Sequence, residues 1–166
     1  MALTVNVAGA SSDSYATVAE ADTFLAWRGS DAWTDASTAS KEGVLKAAAR
    51  YMDELHYEYP KSDTDQALRL PVSTMREDGA YYVPDRVKEA QAIFALRLLE
   101  DPDLMAGGSG VSQVSVPGAF SVTYGDGGAG RSRGGVPEEV LGLLDRYLWK
   151  SGPRYSSWNS AGRGYE

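Results

Sequence analysis

A chain of 166 residues, 43% of them hydrophobic, has the length and apolar content for one folded domain with a real core, which excludes wholesale disorder. A net charge of −7 and a pI near 4.7 speak against a protein whose main task is gripping nucleic acid, because phosphates are neutralised by Lys and Arg. Zero cysteines exclude disulfides, thiolate zinc sites and cysteine nucleophiles, and suit a reducing cytoplasm; no apolar run approaches the roughly twenty residues of a membrane span.

Residues 1–14 are small and polar, with Leu3, Val5 and Val7 alternating, so they read as an N-terminal arm, either loose or a short edge strand. No basic patch followed by an apolar block occurs there, and a signal peptide is not expected. Thr17-Val-Ala-Glu20 is a capping box: the Thr17 hydroxyl can accept the Glu20 N–H, and the Glu20 carboxylate can reach back. A helix to about Arg28 then buries Ala21, Phe24 and Leu25, and Gly29 stops it. Trp27 and Trp33 flank that turn as core lids or interface anchors.

Asp35, Ser37 and Thr38 are good caps for a second helix running to about Tyr57, with Val44, Ala48, Tyr51, Met52 and Leu55 on its buried face. Glu42 and Lys46 stand four apart as a supporting pair. Residues 58–82 hold no period; Pro60, Asp63, Asp65, Pro71 and Gly79 punctuate a long ordered connection with at most a short strand. Leu68, Leu70, Tyr81 and Tyr82 must dock somewhere along it.

Pro84 and Pro102 bracket a central helix at about 84–101. Ala90, Ala92, Ile93, Phe94, Ala95, Leu96, Leu98 and Leu99 leave only a narrow polar stripe of Arg86, Glu89, Arg97 and Glu100. A helix apolar over most of its circumference must be surrounded by other elements. After the Gly-rich stretch 106–110, two alternating β-branched runs separated by Pro117-Gly118 predict a β-hairpin over 111–124. A last helix opens at Val136-Pro137, buries Val140, Leu141, Leu144, Tyr147 and Leu148, and ends at Gly152. The tail 153–166 has no period yet carries Tyr155, Trp158 and Tyr165, a pattern that suggests ordering on a partner. The expected fold is therefore mainly α: a small helical bundle around helix 84–101, with an inserted β-hairpin and extended termini. Its divisions are an arm (1–14), a helical domain (15–152) and a tail (153–166).

Chemistry-bearing motifs are few. Gly125–Ser132 follows a strand and nearly matches a phosphate-binding loop, but Arg131 replaces the lysine, Asp126 adds negative charge, and Gly134, Gly135 and Pro137 delay the helix that would face the phosphates. His56 is the sole histidine, so no Ser–His–Asp site has support. Asp63 and Asp65 lack the glycine and terminal glutamate of a calcium loop. Asp53-Glu54 and Glu138-Glu139 are adjacent pairs that diverge on a helix, and read as solvated surface. The sequence thus predicts no enzyme, no cofactor and no metal.

The order of features resembles a tailed-phage head–tail connector or adaptor family, whose members are often labelled DnaT-like ssDNA-binding proteins. Ser14-Tyr15-Ala16-Thr17-Val18-Ala19-Glu20-Ala21-Asp22-Thr23-Phe24-Leu25 is similar to the family's opening. Ala48–Asp53, Gln66-Ala-Leu-Arg-Leu-Pro71, the Val83-Pro84 helix, the Gly-rich hairpin and the Val136-Pro137 helix follow in the same order, over roughly residues 14–150. Leu70 and Val72 depart from the family's aromatic and basic residues around that proline. The resemblance implies a virion protein, made in the bacterial host cytoplasm, that assembles as a ring, typically dodecameric, beneath the portal protein. Such a ring extends the channel through which genomic DNA passes without sequence-specific binding, and offers a platform to a neck or tail-terminator protein; no membrane is involved. Connectors of this type often hold the portal through a C-terminal segment, which implies an interface at Arg154, Tyr155, Trp158, Arg163 and Tyr165. The alternative is a single-stranded DNA-binding replication accessory protein, for which stacking aromatics would also need a basic groove.

Overall fold

Thr17 does open the first helix. In the computed structural model, which describes residues 3–105, 114–116, 120–122 and 135–149, its hydroxyl accepts the Glu20 N–H at 3.2 Å. The Glu20 carboxylate accepts the Thr17 N–H at 2.8 Å in return, completing the capping box. Helix α1 spans Val18–Leu25, a 3-10 turn covers Ala26–Arg28, and Gly29 ends it with φ of 58°, the left-handed conformation glycine adopts most readily. A four-residue helix α2, Asp31–Thr34, turns Trp33 inward: its indole is 4% exposed, and Nε1–H donates to Asp22 at 2.8 Å. Trp27 points the other way and is 70% exposed.

Helix α3 spans Thr38–Asp53, with Ser37 as its cap. Leu45, Ala48, Ala49 and Met52 form its buried stripe; Val44, Tyr51 and Leu55, assigned to that face by spacing, pack half-buried along its edge. The helix stops four residues short of Tyr57 for a specific reason. The Tyr57 hydroxyl turns back onto the Met52 carbonyl at 2.9 Å, and backbone groups of residues 56 and 58 pair across to residues 149 and 147. Lys46, read as Glu42's partner, reaches Asp13 at 2.7 Å.

The connection 58–82 is ordered by side chains. Gln66 is 3% exposed; its Oε1 accepts from the Ser62 hydroxyl and the Asp63 N–H, while Nε2 donates to the Leu68 and Pro71 carbonyls. Leu68, Leu70 and Val72 dock into the core, whereas Tyr82 stays 40% exposed. Two short strands, β1 (Arg76–Glu77) and β2 (Ala80–Tyr81), pair antiparallel around Asp78-Gly79, both at positive φ, which is the preferred two-residue hairpin turn.

Helix α4, Asp85–Glu100, is the centre. It packs against α1, α2, α3 and α5 (Glu138–Leu144), and every residue from Ala90 to Leu96 is buried. Pro84 sits at the cap rather than inside the first turn, and Asp101 is already extended before Pro102. Phe94 meets Tyr51 of α3 with ring centroids 5.9 Å apart. Arg86, Arg97 and Glu100 form the exposed stripe. One buried residue does not belong to an apolar face: Gln91, at 0% exposure.

The last helix is shorter than the pattern predicts. It ends at Leu144, because residues 147–149 spend their backbone groups on residues 56–58: the Glu58 N–H donates to Tyr147 O at 2.9 Å and the Trp149 N–H to His56 O at 2.8 Å. Val140, Leu144 and Leu148 are buried as expected, while Leu141 and Tyr147 pack only partly. Between α4 and α5, β3 (Val114–Val116) pairs antiparallel with β4 (Phe120–Val122), the predicted hairpin. Gly135, at φ of 89°, abuts Met105, so the two residues that flank the insertion in sequence lie side by side. The fold is mainly α, with the hairpin inserted, and no described helix is long and apolar enough to cross a membrane.

Candidate interaction surfaces

The family-like opening Ser14-Tyr15-Ala16 is held by Gln91. Its Oε1 accepts the N–H groups of Tyr15 at 3.0 Å and Ala16 at 2.9 Å; its Nε2 donates to Ser14 Oγ at 2.7 Å and the Leu45 carbonyl at 2.8 Å. All four bonding positions of one buried amide are filled, joining the N-terminal segment, α3 and α4. The arm before it is pinned too: the Thr4 N–H donates to Asp13, the Asp13 N–H to the Thr4 carbonyl, and the Ala67 N–H to the Gly9 carbonyl.

A second polar cluster lies at the C-terminal end of α3. Asp53 accepts from the Tyr15 hydroxyl and, at 2.8 Å, from the Arg69 N–H; the Tyr15 oxygen accepts the Leu70 N–H at 3.3 Å. Burial lifts the Asp53 carboxyl above its ordinary value, despite the bonds from Tyr15 and Arg69 that favour its charge. Burial and the nearby Asp53 charge push both the Tyr15 and Tyr57 hydroxyls up. Asp53 is therefore a fastener for the 66–72 loop, not the solvated surface its position beside Glu54 suggested.

Five of the eleven described Lys and Arg side chains face carboxylates. Lys41 pairs with Asp22 at 3.0 Å, Lys46 with Asp13 at 2.7 Å, Lys88 with Glu20 at 2.7 Å, and Arg97 with Glu100 at 3.1 Å. Arg28 pairs with Glu139 while its guanidinium lies over the Trp27 ring, 4.6 Å from the centroid. Burial raises the Asp13, Glu20 and Asp22 carboxyls, and the bonds each receives from its lysine and from neighbouring donors outweigh that, holding all three below their ordinary values.

Among the described residues, no three His, Asp or Glu side chains gather as metal ligands. Asp63 is occupied locally, accepting the Asp65 N–H at 2.8 Å. His56 stands on the rim of a cleft of about 200 Å³, lined also by Tyr51, Glu54, Leu55, Met105, Val136 and Leu148. Among the described residues, the large apolar side chains left exposed are Trp27 at 70%, Trp149 at 54%, Val7 at 48%, Tyr82 at 40% and Tyr59 at 38%. Arg154, Tyr155, Trp158, Arg163 and Tyr165, and the glycine-rich stretch 125–134, lie outside the described residues.

A small helical bundle with paired surface charges and exposed tryptophans offers surfaces for macromolecular contact. The chain belongs to the family described as "Putative DnaT-like ssDNA binding protein", which it matches over residues 1–164. Among curated proteins and solved structures, none matches it.

Proposed function

We propose that this chain is a virion structural protein, a head–tail adaptor whose copies form a ring beneath the portal. There the ring extends the DNA channel and connects the capsid to the neck or tail. The observation that carries this reading is the combination of neutralised cations with exposed tryptophans. Lys41, Lys46, Lys88, Arg97 and Arg28 all face carboxylates, and with a net charge of −7 this suits a conduit through which a polyanion slides. Trp27 and Trp149 are anchors of the kind that protein interfaces use. In this reading residues 1–14 form the arm, 15–152 the adaptor domain and 153–166 the tail. The tail engages the portal through Arg154, Tyr155, Trp158, Arg163 and Tyr165, and the protein is not an enzyme. Electron microscopy of the chain mixed with its portal protein tests it. A ring supports the proposal, and no binding opposes it.

The family's description favours a second reading, a single-stranded DNA-binding accessory protein. Exposed Trp27 and Trp149 would serve as stacking platforms. A gel shift separates the two: tight, salt-sensitive binding of single-stranded DNA supports this reading, and its absence at moderate salt supports the adaptor.

A further inference from the structure

We infer that residues 3–13 form a strap that opens from the bundle as a unit, hinged at Ser14-Tyr15-Ala16 and latched by Asp13. Such a strap is a property of the fold alone and is compatible with either functional reading. The hinge is firm. Gln91 of α4 holds the Tyr15 and Ala16 N–H groups and the Ser14 hydroxyl from within the core, so the chain cannot lift beyond that point without stripping a buried amide of its partners.

Before the hinge, the bonding turns inward on the strap itself. The Asp13 N–H donates to the Thr4 carbonyl at 3.0 Å, and Asp13 Oδ1 accepts the Thr4 N–H at 2.8 Å. The Asn6 N–H donates to the Ser12 hydroxyl at 3.2 Å and the Gly9 N–H to the Asn6 carbonyl at 3.1 Å. The strap meets the bundle through Asp13 Oδ2, 2.7 Å from Lys46 Nζ of α3, and through the Gly9 carbonyl, which accepts the Ala67 N–H at 3.1 Å. Its apolar docking is slight: Leu3 packs only partly, Val7 is 48% exposed, and a gap of about 10 Å³ separates Val5 and Val7 from Leu70 and Val83. A segment with few buried apolar contacts and partly solvated bonds opens at lower free energy than the bundle beneath it. The docked form is also strained, because the turn that presents the Gly9 carbonyl holds Ala8 at φ of 55°, a conformation that suits glycine.

Asp13 is the latch because one of its carboxylate oxygens closes the strap on itself while the other ties it to α3. Among the described residues, Lys46 is the charged group that faces it. Burial raises the Asp13 carboxyl, and the bonds from Lys46 and Thr4 outweigh that, holding it below the ordinary 3.8. The latch is therefore fully closed above that value and is lost as pH falls through the lower folded one.

Amide hydrogen exchange followed by NMR on the full-length chain tests this. The Ala67 N–H reports the docked strap, the Tyr15 N–H reports the hinge, and the Asp63 N–H, bonded to Gln66, controls for loosening of the 58–82 connection. Asp13→Ala is expected to speed exchange at Ala67 at least about tenfold and to leave Tyr15 and Asp63 within about twofold of wild type. Ala8→Gly, which relieves the turn without touching the latch, is expected to slow Ala67. Wild type stepped from about pH 5 to about pH 3, with intrinsic rates corrected, should lose protection at Ala67 before Tyr15. Ala67 and Tyr15 accelerating together overturns the separate strap, and Asp63 accelerating with Ala67 assigns the opening to the connection, which also overturns it. Unchanged exchange at Ala67 in Asp13→Ala overturns the latch.

Discussion

Gln91 and Tyr15 are joined by a buried hydrogen bond, in which the Gln91 side-chain oxygen accepts the Tyr15 N–H at 3.0 Å. That bond ties the entry to α1 onto the central helix, and the other three bonds of the same amide add Ala16, Ser14 and α3. Replacing Gln91 with Leu keeps the volume but leaves the Tyr15 and Ala16 N–H groups buried without partners. Each such group costs about 1–3 kcal/mol, so Gln91→Leu should lose at least about 2 kcal/mol in urea unfolding. A loss under 1 kcal/mol would mean that water reaches the site.

Asp53 should separate shape from charge. Asn can still accept from the Tyr15 hydroxyl and the Arg69 N–H, and it removes a carboxylate whose charged form burial disfavours. Asp53→Asn should therefore fall within about 1 kcal/mol of wild type, and Asp53→Ala should cost about 2–3 kcal/mol through the orphaned donors. The pH dependence carries a sign. Because the folded value lies above the ordinary 3.8, the native state holds the proton more tightly, and Asp53 costs stability as pH rises past 3.8. Unfolding curves at stepped pH should show the Asn variant gaining on wild type in that direction.

Glu20 has the opposite sign. Its carboxyl is held below the ordinary 4.5, so its contribution is present above that value and is lost as pH falls through the lower folded one. Gln can keep the capping box with Thr17 while removing the ion pair with Lys88. Glu20→Gln should cost less than about 1 kcal/mol at neutral pH, since the pair is partly solvated, and the gap should close in acid and in high salt. Thermal melts at pH 7 and pH 3 check it.

The two tryptophans of the first turn should behave oppositely. Trp33→Ala opens the core beside α4 and leaves Asp22 without its indole donor, so it should cost about 3–5 kcal/mol. Trp27→Ala should leave stability within about 0.5 kcal/mol. Chemical denaturation of the two variants makes the comparison.

Periodicity made α1, α3, α4 and the 111–124 hairpin legible, because each either buries a face or carries its own cap or turn. It failed where backbone groups found partners far along the chain. Nothing local in His56–Glu58 or Tyr147–Trp149 announces that they pair with each other, so periodicity alone extends both flanking helices too far. The Asp78-Gly79 turn was a visible hairpin signal, but without alternating residues around it the two-residue strands were easy to pass over. Gln91 and Gln66 are illegible for a related reason: a buried amide leaves no pattern, and its role appears only once its partners are in place. Trp27 and Trp33 are equivalent in the sequence; which of them faces outward depends on the left-handed Gly29 and on Asp22 claiming Trp33.

Electron microscopy of the full-length chain incubated with its portal protein tests the proposed assembly beneath a portal most directly. A closed ring of these subunits coaxial with the portal channel is the expected result. A chain that leaves the portal bare, and instead coats single-stranded DNA in a salt-sensitive manner, would contradict it.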